Sequence, residues 1–183
     1  MRCIIFSKTR CLIFVKEICK IFLFSFLIAL GAKIRFFLPF TPVPITLQTF
    51  FIFLSILFLR ERASLSTGVY ILLGISGLPF FCMGEGLMYI FSPTGGYIIG
   101  FLIACIGGGA LVHKSKTYSH YFLSLVISNM IIYACGVLWL VIGYSFTLKN
   151  ALSVGVLPFI FGDALKIIFA LSIFKLLYRR WAL

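Results

Sequence analysis

Six apolar stretches make up most of this chain, and they constrain its fold more than any other feature. They cover approximately residues 21–38, 45–59, 63–80, 94–112, 121–144 and 155–177. A helix needs about 20 apolar residues to cross the hydrocarbon core of a bilayer. The 183 residues are 62% hydrophobic and only 11% charged, which is too little charge to cover a soluble globule of this size. The sequence therefore predicts an all-α integral membrane protein in which residues 21–183 form one domain of six transmembrane helices.

Basic residues flank these stretches unevenly, and this asymmetry predicts an orientation. Twelve of the sixteen Lys and Arg residues lie in the first 20 residues or in the segments 60–62, 114–116 and 175–180. Lys and Arg concentrate on the cytoplasmic side of membrane proteins. With six spans, both termini and all of these segments fall on one side. We therefore expect a multi-pass protein of the cell (cytoplasmic) membrane, with both termini in the cytoplasm and a cytoplasmic tail over residues 1–20.

Several classes of function lack support in the sequence. The formal charge of +12 does not indicate nucleic acid, because the basic residues separate apolar stretches and do not gather on one solvated face. The six cysteines show neither a CxxC motif nor a Cys/His cluster, so no metal site is predicted. Motifs for P-loop nucleotide hydrolysis, zinc proteolysis and serine hydrolysis are missing. We expect a protein that is not an enzyme and that needs no cofactor.

The last apolar stretch contains one acidic and one basic residue, in the sequence VLPFIFGDALKIIF. Asp163 and Lys166 are three residues apart, so a helix projects both side chains from one face. An ionisable side chain at the centre of a membrane helix costs about 2.5–3.5 kcal/mol, which indicates a use for it. Pro158 and Gly162 place the pair in the first turns of its helix, where the helix dipole favours an anion. The pair is predicted to form the polar floor of a site for a small anionic molecule; a purely structural ion pair is the alternative.

The remaining unusual features fall on the predicted outer side. Three prolines within the segment 39–44 forbid a continuing helix, and irregular backbone at membrane depth must pack in protein or line a wet cavity. A glycine-rich segment, CMGEGLMYIFSPTGGY, follows the third stretch. Within it, Gly95 and Gly96 are predicted to let the backbone approach a ligand closely. Together with the charged pair, these features predict a pocket that is open to the outside.

Four segments, in this order and spacing, resemble the biotin-specific substrate-binding subunits of energy-coupling factor (ECF) transporters, the BioY family. They are PFTPVPITLQTF at 39–50, YILLGISGLPFF at 70–81, SPTGGYIIGF at 92–101 and GVLPFIFGDALKIIFA at 155–170. The resemblance implies a six-helix membrane fold that takes up biotin from outside. It also implies that biotin contacts residues of the shared motifs. The residues expected at the site are Asp163, Lys166, Gln48, Thr94, Gly95, Gly96 and Tyr97, together with Tyr89 and Asn129.

The chemistry of these residues suits biotin. Asp163 can accept hydrogen bonds from the ureido N–H groups, and Lys166 can neutralise an anion or donate to a carbonyl. Tyr89 and Tyr97 can enclose the ring and the aliphatic tail. The sequence leaves open which polar end of biotin meets which residue.

The resemblance also implies partners, namely a transmembrane coupling subunit and a pair of cytoplasmic ATPases that use ATP. Ser25, Ala29 and Ala32 form a stripe of small residues on the first span, and such stripes permit close helix approach in lipid. We expect the coupling subunit to dock there; internal packing against another span is the alternative.

Two other functions stay open at this stage. The chain could work alone as an ion-coupled carrier for a small organic anion, with Asp163 as the protonated residue. It could also be a structural membrane subunit without a ligand.

Overall fold

The computed structural model describes residues 2–114 and 117–181, with side chains described for 14–114 and 117–177. Most of the described residues are helical, and strands β1 and β2 form the one short antiparallel pairing among them. The elements are α1 (Arg2–Lys33), β1 (Arg35–Phe36), β2 (Ile45–Thr46), α2 (Gln48–Leu59), a 3₁₀ turn (Arg60–Arg62), α3 (Ala63–Ile75), a 3₁₀ helix (Leu87–Phe91), α4 (Gly95–Lys114), α5 (Tyr118–Tyr144), α6 (Leu148–Gly155) and α7 (Leu157–Trp181).

The helical class is confirmed, whereas the count of six spans and the orientation of the termini stay predictions. Within the described ranges, three helices are long and apolar enough to cross a membrane, namely α4, α5 and residues Leu157–Leu177 of α7. Helices α2 and α3 have only 12 and 13 residues. At 1.5 Å per residue, each of them covers about 18–20 Å, which is less than the hydrocarbon thickness of about 30 Å.

Several predicted boundaries differ from those in the structure. Helix α1 runs through most of the segment predicted as a tail and ends at Lys33, five residues before the predicted end of the first span. Helix α3 ends at Ile75, because Gly77 adopts a positive φ of 97° that a regular helix cannot continue. The segment between the predicted fifth and sixth stretches contains helix α6, which Thr147 caps by accepting a hydrogen bond from the Asn150 N–H. Of the basic residues behind the predicted orientation, the side chains at 2, 8, 10, 116, 179 and 180 lie outside the described part.

Helix α2 lies at the centre of the molecule and packs against α1, α3, α4 and α7. Helices α4 and α5 form the most extensive helix pair, and glycines make their close approach possible. A Cβ on Gly96 would clash with Trp139, and one on Gly100 would lie 3.1 Å from the Ile132 Cα. Small residues at a membrane helix interface allow this packing, because lipid supplies no hydrophobic drive between helices.

The stripe of small residues predicted for partner docking is covered by this chain itself. Ser25 and Ala32 are fully buried, and Ala29 is 7% exposed. Their helix, α1, packs against α2 and α3. The stripe is therefore packed inside this chain, as the alternative interpretation had it, and docking of a coupling subunit there stays a prediction without support from this burial. Small side chains in α1 allow α2 and α3 to approach it closely.

Candidate binding site

A cavity of about 50 Å³ lies between the connections and the inner faces of the long helices. It has room for several water molecules, since one needs about 10–15 Å³ on this scale. Its wall combines apolar and aromatic side chains with a few polar ones. The lining residues are Val43, Pro44, Thr46, Gln48, Thr49, Tyr70, Cys82, Tyr89, Thr94, Tyr97, Ile98, Phe101, Ile132, Tyr133, Phe159, Asp163 and Lys166.

Asp163 and Lys166 form an ion pair on helix α7. We call these two residues and Thr49 the floor of the cavity. Lys166 Nζ lies 2.7 Å from Asp163 Oδ1, and the two side chains are 13% and 3% exposed. Pro158 suits the first turn of α7, because its missing N–H would have had no helical partner there. The pair then faces inward, where three other elements supply its hydrogen bonds. The predicted shared face of these two residues is confirmed.

The floor is tied to the neighbouring elements by a dense set of hydrogen bonds. Thr49 Oγ1 donates to Asp163 Oδ1 at 3.0 Å, and Tyr133 OH donates to Asp163 Oδ2 at 2.7 Å. Lys166 Nζ donates to Thr49 Oγ1 at 2.9 Å and to the Thr46 carbonyl at 2.8 Å. The buried carboxylate is therefore held by donors from α2, α5 and α7. A charged pair taken out of water is tolerated when its remaining atoms are hydrogen-bonded in this way.

Two further polar groups reach the cavity from other helices. Gln48 Nε2 donates to Tyr70 OH at 2.7 Å, which fixes the amide at the start of α2. Tyr97 OH donates to the Gly155 carbonyl at 2.8 Å, so its ring forms part of the wall while its hydroxyl is already satisfied. Gln48 Oε1 accepts from Thr46 Oγ1 at 3.4 Å, so Gln48 keeps one amide hydrogen and the second lone pair of its carbonyl oxygen for a ligand.

The connection between α3 and α4, residues 76–94, forms the opposite side of the cavity. Cys82, Tyr89 and Thr94 line it there, and we call these three residues the loop wall. The Tyr89 ring stacks on Phe81 with 4.9 Å between the centroids, and its hydroxyl accepts from the Met83 N–H at 3.3 Å. Burial raises the pKa of the Tyr89 phenol and of the Cys82 thiol, so both are neutral at pH 7.

The structure brings six of the nine predicted site residues together around this cavity. They are Asp163, Lys166, Gln48, Tyr89, Thr94 and Tyr97. Any contact between these residues and a ligand remains a prediction, but their convergence from distant parts of the chain is a structural fact.

The other three predicted site residues lie away from the cavity lining. Gly95 packs against the Ile90 carbonyl and Gly96 against Trp139, so these glycines permit contacts within the protein. A close approach of a ligand to their backbone stays a prediction. Asn129 is 5% exposed and lies one turn before Tyr133 on α5; its Oδ1 has no hydrogen-bond partner among the described residues.

Three hydroxyl-bearing residues on helices line the cavity without having been predicted as site residues, and so does Thr46 in β2. Thr49 belongs to the segment PITLQTF, where Gln48 was chosen instead. Tyr133 stands one turn from Asn129 and takes the place at the cavity that was assigned to that residue. Tyr70 is the single aromatic side chain of α3, and it is fully buried. A hydroxyl inside an apolar helix is the signal that could have identified all three, because such a group needs a partner.

The residues at the cavity include no metal site. Among the side chains described, those of residues 14–114 and 117–177, no group of three or more His, Cys, Asp or Glu could hold a metal ion. The polar groups that face the cavity are instead hydrogen-bond donors and acceptors at the floor, with apolar and aromatic surface around them. Such a site suits an organic molecule with a small polar head and an apolar body.

Comparison with known proteins gives consistent matches along the chain. Residues 6–182 match the family model of BioY. A biotin transporter BioY from Thermotoga maritima is 39% identical over 150 residues, which cover 81% of this chain and 87% of that protein. A probable biotin transporter BioY from Pyrococcus horikoshii is 38% identical over 146 residues, 79% of this chain and 85% of that one.

A solved structure matches the fold as well. The S-component for biotin from an ECF-type ABC transporter superposes with a TM-score of 0.83 at 25% sequence identity. The superposition covers 90% of this chain and 92% of that chain.

Proposed function

This chain belongs to the BioY family, and from that premise we propose that it captures biotin as the substrate-specific S-component of an ECF-type, ATP-driven transporter. The single observation that carries the proposal beyond family membership is the cavity floor. It places a buried carboxylate and an ammonium in a cavity with a largely apolar wall, and the Gln48 amide lines the same cavity.

Biotin is chemically complementary to this cavity. Its ureido ring offers two N–H donors and a carbonyl, and its thioether ring and aliphatic tail are apolar. Asp163 and the Gln48 carbonyl can accept from the N–H groups, and the free Gln48 amide hydrogen can donate to the ureido carbonyl. Tyr89, Tyr97 and Phe101 supply aromatic surface for the remainder of the molecule.

The same proposal includes the membrane topology. We propose six crossings in the cell membrane with both termini in the cytoplasm, as the distribution of Lys and Arg favours. The short helix α2 completes its crossing with the irregular segment 34–47. The Leu47 N–H in this segment donates to the Gly31 carbonyl of α1 at 3.1 Å and to the Ile34 carbonyl at 3.0 Å. Irregular backbone at membrane depth is stable when it is satisfied by protein in this way.

The sequence contains no P-loop motif for nucleotide hydrolysis, so in an ATP-driven transporter the hydrolysis falls to partner subunits. We propose that these are a transmembrane coupling subunit and a cytoplasmic ATPase pair. The test is biotin accumulation in proteoliposomes. The lone chain should bind biotin without accumulating it, and accumulation should require the coupling subunit, the ATPases and ATP. Concentrative uptake by the lone chain under a proton or sodium gradient would instead establish an ion-coupled carrier.

A further inference from the structure

The ammonium at the cavity floor has no free hydrogen for a ligand. Lys166 Nζ donates to Asp163 Oδ1, to Thr49 Oγ1 and to the Thr46 carbonyl, at 2.7, 2.9 and 2.8 Å. An ammonium group has only three N–H donors, so all of them are used inside the protein. A carboxylate on the ligand would have to break one of these bonds to pair with Lys166.

The floor is better suited to hydrogen-bond donors than to a second anion. The Asp163 carboxylate has about four acceptor sites, and Lys166, Thr49 and Tyr133 occupy three of them. One site remains for an N–H group of a ligand. A ligand carboxylate beside Asp163 would meet a like charge whose counter-ion is already engaged.

Two cations with unused donors stand on the other side of the cavity, behind the loop wall. Lys33 Nζ donates to the Phe81 carbonyl at 2.9 Å, and Arg35 Nη1 donates to the carbonyl of Cys82, which itself lines the cavity. Each cation donates one hydrogen bond to a neutral backbone carbonyl. Among the described residues, neither forms an ion pair with an acid. Glu85, which lies in the connection 76–94 with Cys82, is exposed and forms no ion pair with the described side chains.

The charge of these two residues reaches the cavity wall. Burial raises the pKa of the Cys82 thiol, and the positive charges of Arg35 and Lys33 act in the opposite direction. Arg35 opposes the effect of burial on the Tyr89 phenol as well. Both affected groups line the cavity, so the positive charge of Arg35 and Lys33 acts at the loop wall, while burial has the larger effect on both groups.

We propose that Lys33 and Arg35 form the subsite that recognises the carboxylate of the ligand. The ligand then lies with its ureido ring on the floor, at Asp163, and its anionic tail at the loop wall. This inference rests on the proposed function, and it assigns the orientation that the sequence left open. An arginine has a fork of N–H donors that matches a carboxylate, so Arg35 is the principal contact.

The test compares biotin with its neutral primary amide by titration of the purified chain. Wild-type protein should bind biotin at least tenfold more tightly than the amide. The double variant Lys33→Gln/Arg35→Gln should lose at least tenfold in affinity for biotin and no more than twofold for the amide. Lys33→Arg/Arg35→Lys, which keeps both charges, should retain the preference. Lys149→Gln removes an exposed lysine outside the cavity and should change neither affinity.

Each other outcome refutes a defined part of the account. An undiminished preference for biotin in the glutamine variant would overturn the subsite, and so would an equal loss for both ligands, which indicates a purely structural role. Should the glutamine variant not fold, the wild-type protein provides a second measurement. Its preference for biotin should shrink as salt rises from about 0.05 to about 0.5 M, because Lys33 and Arg35 are exposed to screening. A salt-independent preference contradicts the subsite. Wild-type protein that binds neither molecule would refute the proposed function itself.

Discussion

Replacing Lys166 with methionine removes the ammonium at the cavity floor while keeping most of the side-chain volume. Asp163, whose side chain is 3% exposed, would keep Thr49 and Tyr133 as donors but lose its counter-ion at 2.7 Å. Removing one partner of a buried ion pair costs about 3–5 kcal/mol in the free energy of unfolding. Because Lys166 is 13% exposed and two donors to Asp163 remain, we expect a loss of about 3 kcal/mol.

The assay is thermal unfolding in detergent, with intrinsic fluorescence as the signal. For a domain of this length, 1 kcal/mol corresponds to about 2–4 °C, so Tm should fall by about 6–12 °C. Lys175→Met on the same helix is the matched control. Lys175 is exposed, with its Nζ 5.7 Å from the centroid of the Tyr118 ring, so its loss should cost less than about 1 kcal/mol.

The double variant Asp163→Leu/Lys166→Met distinguishes the cost of leaving a buried carboxylate unpaired from the cost of altered side-chain packing. It should regain most of the stability lost by Lys166→Met, because no unpaired carboxylate is left in the interior. Both variants should bind biotin at least tenfold more weakly, a loss of about 1.4 kcal/mol or more. The reasoning is refuted if Lys166→Met costs no more than the Lys175 control. It is refuted equally if the folded double variant binds biotin normally.

Three further predictions test the packing and the surface charges. Gly96→Ala should destabilise the protein by about 1–3 kcal/mol in the same melting assay, because the new Cβ would clash with α5. Gly107→Ala is the control and should be neutral or slightly stabilising, because the nearest atom to its Cβ, Ile131 Cδ1, lies 3.5 Å away. Ala29→Trp should lower the yield of folded protein, because Ala29 is buried. A variant that folds and binds biotin but no longer copurifies with the coupling subunit would instead support docking of that subunit at Ser25, Ala29 and Ala32. Glu17→Gln should cost about 0.2–1 kcal/mol in the free energy of unfolding at pH 7. The hydrogen bond from Lys20 lowers the pKa of Glu17, which lies before the proposed first span, so the cost should vanish as pH falls through this lowered pKa, below 4.5. A cost that is independent of pH would contradict the ion pair.

The helical class and the inward-facing charged pair could be predicted from the sequence because they depend on local spacing. Three residues on a helix place Asp163 and Lys166 on one face whatever the tertiary structure is. Apolar stretches likewise indicate membrane helices from composition alone.

Helix ends and the function of small residues depend on tertiary contacts and were predicted less well. Gly95 and Gly96 lie in a turn motif that suggests ligand contact, yet their missing side chains serve the packing of α4. The small residues of α1 show the same ambiguity, since a smooth stripe fits an internal neighbour as well as a partner. Tyr133 reaches Asp163 across 30 positions of the sequence, and no local pattern predicts such a bond.

The central claim is that this chain binds biotin by itself. The most direct measurement is a calorimetric titration of the purified protein in detergent, without ATP, coupling partners or an ion gradient. The account predicts saturable binding of one biotin per chain, with apparent affinity at least tenfold weaker in the Lys166→Met variant. A monodisperse wild-type protein that releases no heat of binding and retains no biotin on gel filtration would contradict it.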